Sequence, residues 1–317
     1  MSKSKYLLSI CIPTYNRGDV LTSCINAIIG NPIFCDEIEI VVCDNASTDN
    51  TEQVMQPYVK KYPNIKYFRN SENIGVTRNF IRVMDLATGL FLKPTNDYSV
   101  YTNEGLSYLF KVIKDNQETR PLMLLDNIPD STEFETDLHL NMDQVVEQVG
   151  WSLSWVGING FWQDEWQSIE DKEARVDIMF VPIDYFFQLL DKKQTANIYS
   201  GHFSDRYPFE QKQGGYNFFK VHTEYFLCLY KEYYHKGKLS KNAYDALNYR
   251  LCSSLLYFLR KFLVKEKDNY AYDLSHWQYY FIKAFWRYPW FYWKMFIWYL
   301  TIVKYYLFKP FKSNKAY

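Results

Sequence analysis

Within the first hundred residues, short apolar runs alternate with segments of helical period, and each run ends in a polar loop. Leu7 to Ile12 is unbroken apolar sequence, the pattern of a strand covered on both faces of a parallel sheet. Pro13-Thr14-Tyr15-Asn16-Arg17-Gly18 ends it, and from about Asp19 to Ile29 the residues Val20, Leu21, Ile25 and Ile28 recur at helical spacing. The unit returns as a strand over Ile38 to Cys43, the loop Asp44-Asn45-Ala46-Ser47-Thr48-Asp49 and a helix over about Thr51 to Lys61. It returns again as Ile65 to Phe68, the loop Asn70-Ser71-Glu72-Asn73-Ile74-Gly75 and a helix over Thr77 to Leu86, after which Leu90 to Lys93 runs into the turn Pro94-Thr95-Asn96-Asp97-Tyr98-Ser99. Strands alternating with helices imply a parallel sheet with right-handed crossovers. In such sheets ligands collect beyond the carboxyl ends of the strands, and all four loops place an acid, an amide or an arginine there.

Further on the pattern loosens. A helix near Glu104 to Ile113 precedes a strand over Leu122 to Leu125, and an acidic, poorly periodic segment follows to about Gly150. Residues 165–192 read as mainly helical, with Pro182 as a start or a kink, and Gly214-Gly215 break the chain before a helical region from about Phe218. The six cysteines show no C-x-x-C spacing and read as reduced core thiols, which points to the cytoplasm. No small-residue cleavage site follows the first apolar run, so no signal peptide is expected. No uncharged stretch reaches the roughly 18 residues of an ordinary membrane-spanning helix.

The net charge of +0 hides an asymmetry, because residues 250–317 hold 12 Lys and Arg against 3 acids. Residues 275–311 also contain 18 aromatics, far more than a core needs. On one helix, Lys283, Arg287, Lys294 and Lys304 would fall within a third of the circumference. A basic stripe beside a Trp-rich face predicts a helix lying on an anionic membrane surface, kinked at Pro289; an aromatic oligomer interface is the other use of such a segment. A nucleic-acid partner is not expected, since the basic residues alternate with bulky apolar ones and no recognition motif accompanies them.

Ile12-Pro13-Thr14-Tyr15-Asn16-Arg17, then Val41-Val42-Cys43-Asp44-Asn45-Ala46-Ser47-Thr48-Asp49, then Asn73-Ile74-Gly75 with Arg78-Asn79, resemble the successive nucleotide-binding motifs of inverting family 2 glycosyltransferases of the kind that builds bacterial polysaccharides. The resemblance covers residues 7–99 well and 150–220 loosely. It implies an α/β chain of GT-A (Rossmann-like) fold, a mixed, mostly parallel sheet flanked by helices, followed by a helical, aromatic-rich C-terminal region. The expected division is a GT-A domain over 1–220, with 1–100 the nucleotide-sugar half and 101–220 the acceptor half, and a membrane-associating region over 221–317.

On that resemblance Asp44 takes the base and ribose, Pro13 and Tyr15 shape the pocket wall, and Asn16 or Arg17 stands at its edge. Asn45, Asn73 and Gly75 belong to the same nucleotide motifs, and Arg78 would face the diphosphate with its fork of N–H groups. Asp44, Ser47 and Asp49 could equally cap the helix at Thr51. The family normally carries a D-x-D triplet that holds Mg2+ or Mn2+ against the leaving diphosphate; this chain has Thr95-Asn96-Asp97, so Asp97 is the expected metal ligand, with Asn96 or Ser99 as outer help. Gly157-Ile158-Asn159-Gly160-Phe161-Trp162 resembles the strand lining the acceptor pocket, and the catalytic base would follow it. Asp177 and Asp184 lie in the apolar stretch 176–186, where a surface charge would be out of place; Asp184 is preferred, because Pro182 would set it in a helical first turn facing the cleft.

The implied activity is transfer of a sugar from a nucleoside-diphosphate sugar, a UDP-sugar first, to a hydroxyl of a growing lipid-linked cell-surface glycan, with inversion. The enzyme would sit in the cytoplasm on the inner face of the cell membrane. A non-catalytic sugar-nucleotide-binding or scaffolding protein of a glycan-assembly complex is the alternative. A nucleotidyltransferase is weaker, since the Gly-rich basic phosphate loop it would need is absent.

Overall fold

A computed structural model describes residues 4–208, 213–264 and 270–308 of the chain. The chain divides into two compact units, Met1–Phe209 and Glu210–Tyr317. The first unit begins with β1 (Leu8–Thr14), α1 (Gly18–Ile29), β2 (Ile38–Asp44), α2 (Thr51–Lys61), β3 (Ile65–Arg69), α3 (Val76–Leu86) and β4 (Phe91–Pro94). It continues with β5 (Ser99–Tyr101), α4 (Asn103–Asp115), β6 (Leu122–Asn127), β7 (Glu135–Leu140), α5 (Met142–Val149), β8 (Phe161–Trp162), α6 (Gln163–Ser168), α7 (Val181–Lys193), β9 (Ala196–Gly201) and β10 (Ser204–Arg206).

The main sheet runs β3-β2-β1-β4-β8. Its first four strands are parallel, and β8 closes the far edge antiparallel to β4. Every residue of β2 is buried, and in β1 all but the half-buried Pro13, as expected of central strands with helices on both faces. On α1, Val20, Leu21, Cys24, Ile25 and Ile28 are buried, each fully buried aliphatic side chain contributing about 1.5–3 kcal/mol. α3 covers the sheet with Phe80, Ile81, Val83 and Met84. One acid lies inside this core: Glu39 of β2 is 0% exposed. Burial would raise its carboxyl, but hydrogen bonds from Lys66, Ser9 and Thr88 outweigh burial and hold it below the usual value.

After β3 the chain recrosses the sheet, so that β4 lies on the other side of β1. That reversal of strand order is the point at which open α/β sheets leave a crevice for ligands, and here it falls between β1 and β4.

A second sheet, β6-β9-β7, carries the other half of the unit, with β9 parallel to β6 and antiparallel to β7. The poorly periodic segment before Gly150 contains β7 and α5. Five of the six residues of β7 are exposed, so the strand has no apolar face to announce it. α5 is set by the capping box of Asn141 and Gln144. Residues 165–192 are less helical than expected. α6 stops at Ser168, Val176–Ile178 form one 3-10 turn, Met179 takes a left-handed φ of 62°, and α7 then starts with Pro182 in its first turn.

The second unit contains β11 (Gln213–Asn217), α8 (Phe218–Lys220), a π-helical turn over Val221–Phe226, α9 (Leu227–His235), α10 (Lys241–Val264), β12 (Tyr270–Asp273), α11 (Trp277–Phe285) and α12 (Pro289–Phe308). β11 pairs in parallel with β12. Pro289 does not kink one long helix; α11 ends at Phe285 and Pro289 opens a new helix, a position where its missing N–H costs nothing. The expected basic stripe is therefore broken. Lys283 pairs with Glu224 at 2.6 Å, and the Lys294 ammonium lies 3.4 Å from the centre of the Tyr249 ring. The outer side of α12 is instead aromatic and aliphatic, with Tyr292, Trp293, Phe296, Tyr299 and Leu307 each about half exposed or more. No described helix is long and apolar enough to cross a membrane.

Candidate functional site

Asp44 is the last residue of β2, and the parallel register places Thr14 of β1 beside it on one side and Arg69 of β3 on the other. Its carboxylate is fully buried. Oδ1 accepts the Ser47 N–H at 2.9 Å and the Ser47 hydroxyl at 2.5 Å; Oδ2 accepts the Tyr67 hydroxyl at 2.6 Å and an Arg69 N–H at 2.8 Å. Burial beside the Asp44 charge pushes the Tyr67 hydroxyl well above its ordinary pKa. Tyr67 and Arg69 were not singled out in the sequence. The period-2 rule would have found them, since they stand two apart on one face of β3, the strand next to Asp44.

Across the sheet reversal, Asp97 follows β4 and is 3% exposed. Its Oδ2 accepts the Thr14 hydroxyl at 2.8 Å and its Oδ1 an Arg17 N–H at 2.8 Å. Burial pushes the carboxyl above the ordinary value, against the opposing pull of Arg17 and Thr14. The Tyr98 ring next to it has guanidinium carbons at 5.6 Å (Arg17) and 5.3 Å (Arg206) from its centre, within cation–π range. Arg206 arrives because β10 pairs with β5, opposite Ser99, a pairing that no local sequence signal gives.

The loops between these carboxylates are tied to each other. Asn16, at a left-handed φ of 53°, accepts the Thr48 N–H on its side chain at 2.7 Å and donates its own N–H to Ser47 at 2.8 Å. Asn45 donates to Asn73 at 2.8 Å and accepts from Ile74 and Asn70, while Asn73 accepts from Gly75 at 2.9 Å. Gly75 has a φ of +87°, a conformation that costs other residues strain, and it leads into α3. Asp49 accepts from Gly18 and Thr51, the first residues of α1 and α2. The capping role weighed for this loop thus falls to Asp49, while Asp44 holds β3. Pro13 is half-buried at the end of β1, Tyr15 is 41% exposed and Asn96 is half-buried.

The acceptor-side residues are placed less uniformly. The expected strand over 157–162 is a 3-10 turn followed by the two residues of β8. Lys93 of β4 holds this turn from below: its buried ammonium donates to the carbonyls of Gly157, Asn159 and Pro94. Asp184 lies in the first turn of α7, 5% exposed, 3.4 Å from Arg175 and 2.9 Å from Gln188. Asp177 corrects the expectation of an out-of-place charge; it is exposed on the 3-10 turn, in water. Arg78 stands in the first turn of α3 as expected, and its Nε donates to Glu173 at 2.9 Å, with both side chains about half exposed.

Burial lowers the Lys93 pKa to about 7. The folded chain therefore sheds this proton earlier than the unfolded one, and stability should rise with pH between about 7 and about 10. Lys93→Met is expected to lose that rise and to loosen residues 157–159. Thermal melts of both proteins across the window, read against each other, check it; parallel curves would refute it.

Residues 9–156 match the family described as glycosyl transferase family 2. This part of the chain is a family 2 glycosyltransferase domain. The abequosyltransferase RfbV of Salmonella typhimurium is 45% identical over 84 residues, 26% of this chain and 25% of that one. The poly(ribitol-phosphate) beta-glucosyltransferase of Bacillus spizizenii is 27% identical over 124 residues, 38% of this chain and 19% of that one. The aligned part thus spans about a quarter of the abequosyltransferase and less of the other. Among solved structures, TarS 1–349 of S. aureus in complex with UDP-GlcNAc superposes with a TM-score of 0.61 at 17% identity, covering 88% of this chain and 82% of that one. The mannosyltransferase PcManGT of Pyrobaculum calidifontis, in complex with GDP-Man and Mn2+, gives 0.54 at 13% identity, covering 82% and 74%. These likenesses establish the GT-A fold.

The Mn2+ of that mannosyltransferase raises the question of whether the glycosyltransferase domain here offers a metal its ligands. Hard divalent cations need several oxygens with lone pairs to give. Among the described residues no group of three or more His, Cys, Asp or Glu could hold a metal. Thr95, where the family's triplet has its other acid, is buried with its hydroxyl 2.8 Å from that of Tyr101. Asp97 alone remains, and both of its oxygens are engaged. A cation of this kind is held by one or two carboxylates and completes its shell with water and substrate phosphates, so Asp97 is the residue that would hold the expected Mg2+ or Mn2+.

Proposed function

We propose that the chain is an inverting glycosyltransferase that moves a sugar from a nucleoside diphosphate, UDP first, to a hydroxyl of a growing, lipid-linked cell-surface glycan. The observation that carries this reading is the pair of buried carboxylates, Asp44 and Asp97, flanking the end of β1 where the strand order reverses. Asp44, fixed by Tyr67 and Arg69, takes the base and ribose, with Pro13 and Tyr15 as wall. The diphosphate lies toward Arg17 and Asp97. The family membership, and the sugar nucleotides held by the two structural neighbours, support a nucleoside-diphosphate sugar; the ribitol-phosphate polymer in the name of one relative supports a polymeric acceptor.

In the reaction, the acceptor oxygen bonds to the anomeric carbon on the face opposite the diphosphate. The bond to the diphosphate oxygen breaks and its electron pair leaves with that oxygen, while the hydroxyl proton passes to a carboxylate. Asp184 is assigned that role, with Asp177 as the other candidate. No step is routed through a metal. The exposed aromatic side of α12 and the basic excess of residues 250–317 favour peripheral attachment to the anionic inner face of the cell membrane.

A screen of the common sugar nucleotides, read by calorimetric binding and by release of the nucleoside diphosphate, tests the reading. One of them is expected to bind and to be hydrolysed slowly without acceptor. The pairing of Asp184 with Arg175 favours one second reading, a sugar-nucleotide-binding protein without transfer; binding with no release under any condition would select it. No binding at all would overturn both.

A further inference from the structure

The second unit holds a groove of about 960 Å3 that the transfer reaction leaves unused. α9 lines it with Lys231 and Tyr234, α10 with Tyr244 and Asp245, and α11 with Tyr280 and Lys283; the turn from Trp286 to Trp290 completes the lining. Its acids are neutralised within the groove. Glu224 meets Lys283 at 2.6 Å, and Asp245 meets Lys241 at 2.5 Å and accepts the Tyr288 hydroxyl at 2.9 Å. Lys231 and Arg287 line the same groove, and neither forms an ion pair among the described residues. The Arg287 guanidinium lies 5.3 Å from the centre of the Trp286 ring, a contact that orients it and leaves its charge in place. Stacked rings stiffen the walls, Tyr234 on Tyr244 at 5.0 Å and Tyr288 on Trp290 at 4.7 Å. Next to the groove, Tyr279, Ile282 and Trp286 are each more than half exposed and fall within about 60° around α11 and its end. Two cations bordered by an exposed apolar stripe have the division of a lipid–water boundary, phosphate on one side and acyl chain on the other. An apolar partner would bury the stripe and desolvate the cations without counter-charge; an anionic lipid satisfies both.

We propose that this groove binds the phosphate of an anionic phospholipid headgroup through Lys231 and Arg287, with Tyr279, Ile282 and Trp286 entering the acyl boundary beside it. Attachment is then made at a defined site, while the basic excess of residues 250–317 supplies the general attraction that brings the chain to the surface. The inference rests on the peripheral-membrane reading above, and the test separates the two.

The full chain is sedimented with vesicles of phosphatidylcholine, alone or mixed with phosphatidylglycerol, and binding is expected to the mixed vesicles. Losing one general surface cation near such a membrane weakens binding by about fivefold, and Lys304→Ala, on α12 outside the groove, should do no more. Lys231→Ala and Arg287→Ala should each weaken it by about thirtyfold. Arg287→Lys, which keeps the net charge, should still weaken it by about fivefold, because the fork of N–H groups on the phosphate is lost. All three side chains are exposed, so the variants should keep the melting temperature of the parent. Millimolar inorganic phosphate, set against chloride of equal ionic strength, should leave the protein on the vesicles; release by phosphate would assign the groove to the free anion and overturn the lipid. Equal losses in the three alanine variants with none in Arg287→Lys would overturn the site and leave the membrane reading standing. A dimer that Ile282→Asp splits while vesicle binding stays unchanged would give the stripe to a second copy and overturn the proposal as well. Failure to bind any vesicle would overturn the membrane reading and the proposal with it.

Discussion

Asp44→Ala is expected to cost about 1–3 kcal/mol of stability, the penalty for stranding buried hydrogen-bond donors, and to remove measurable nucleotide binding together. The abandoned groups are the Tyr67 hydroxyl and the hydroxyl and N–H of Ser47, whereas the Arg69 guanidinium, its side chain 37% exposed, regains water. Asp44→Asn keeps an acceptor but loses the charge opposite Arg69, so about half that cost is expected. Denaturant unfolding gives the first quantity and calorimetric titration with UDP the second. A protein that is destabilised yet binds the nucleotide unchanged would show that Asp44 only braces β3.

The second large effect concerns the proton. Asp184→Ala is expected to lower kcat by a factor of about 10²–10⁴, the usual contribution of a positioned general base, with donor binding unchanged. Arg175 and Gln188 both contact the Asp184 carboxylate, which holds it in one orientation. Asp177→Ala, out in solvent, should leave kcat within about threefold, because an exposed turn orients nothing. The readout is single-turnover transfer once the screen has identified the sugar donor. Full activity in both variants would place the base outside this segment.

The strand ends and their order were legible because parallel central strands read as continuous apolar runs, and the first four were found to within a few residues. The loops were legible because their polar residues have no other reason to cluster after every strand. What could not be read was who meets whom. Asp44 invited a ligand, yet one of its oxygens is already taken by Ser47 of its own loop and the other by a strand whose register no local pattern discloses. The break at Pro289 was visible as a proline, but a stripe computed along one continuous helix lost its meaning once that helix became two. β7 escaped because this exposed edge strand buries one residue, Leu140, and its first three residues are polar. Lys93 escaped because a lysine at the end of an apolar run looks like a strand reaching solvent, and only the packing of residues 157–159 over it reveals a buried ammonium.

The ties between the loops have a consequence for how ligands are chosen. The ladder does not stop at the last strand residues: the Asn45 N–H reaches Thr14, that of Asn70 reaches Asp44, and that of Thr95 reaches Cys11, each at 2.8–2.9 Å. Fixing these loops is therefore completed when the sheet forms, and no ordering penalty is left for the moment of binding. A crevice built this way behaves as a gauge of fixed dimensions, and it sorts sugar nucleotides by whether they fit, not by how far it can close around them.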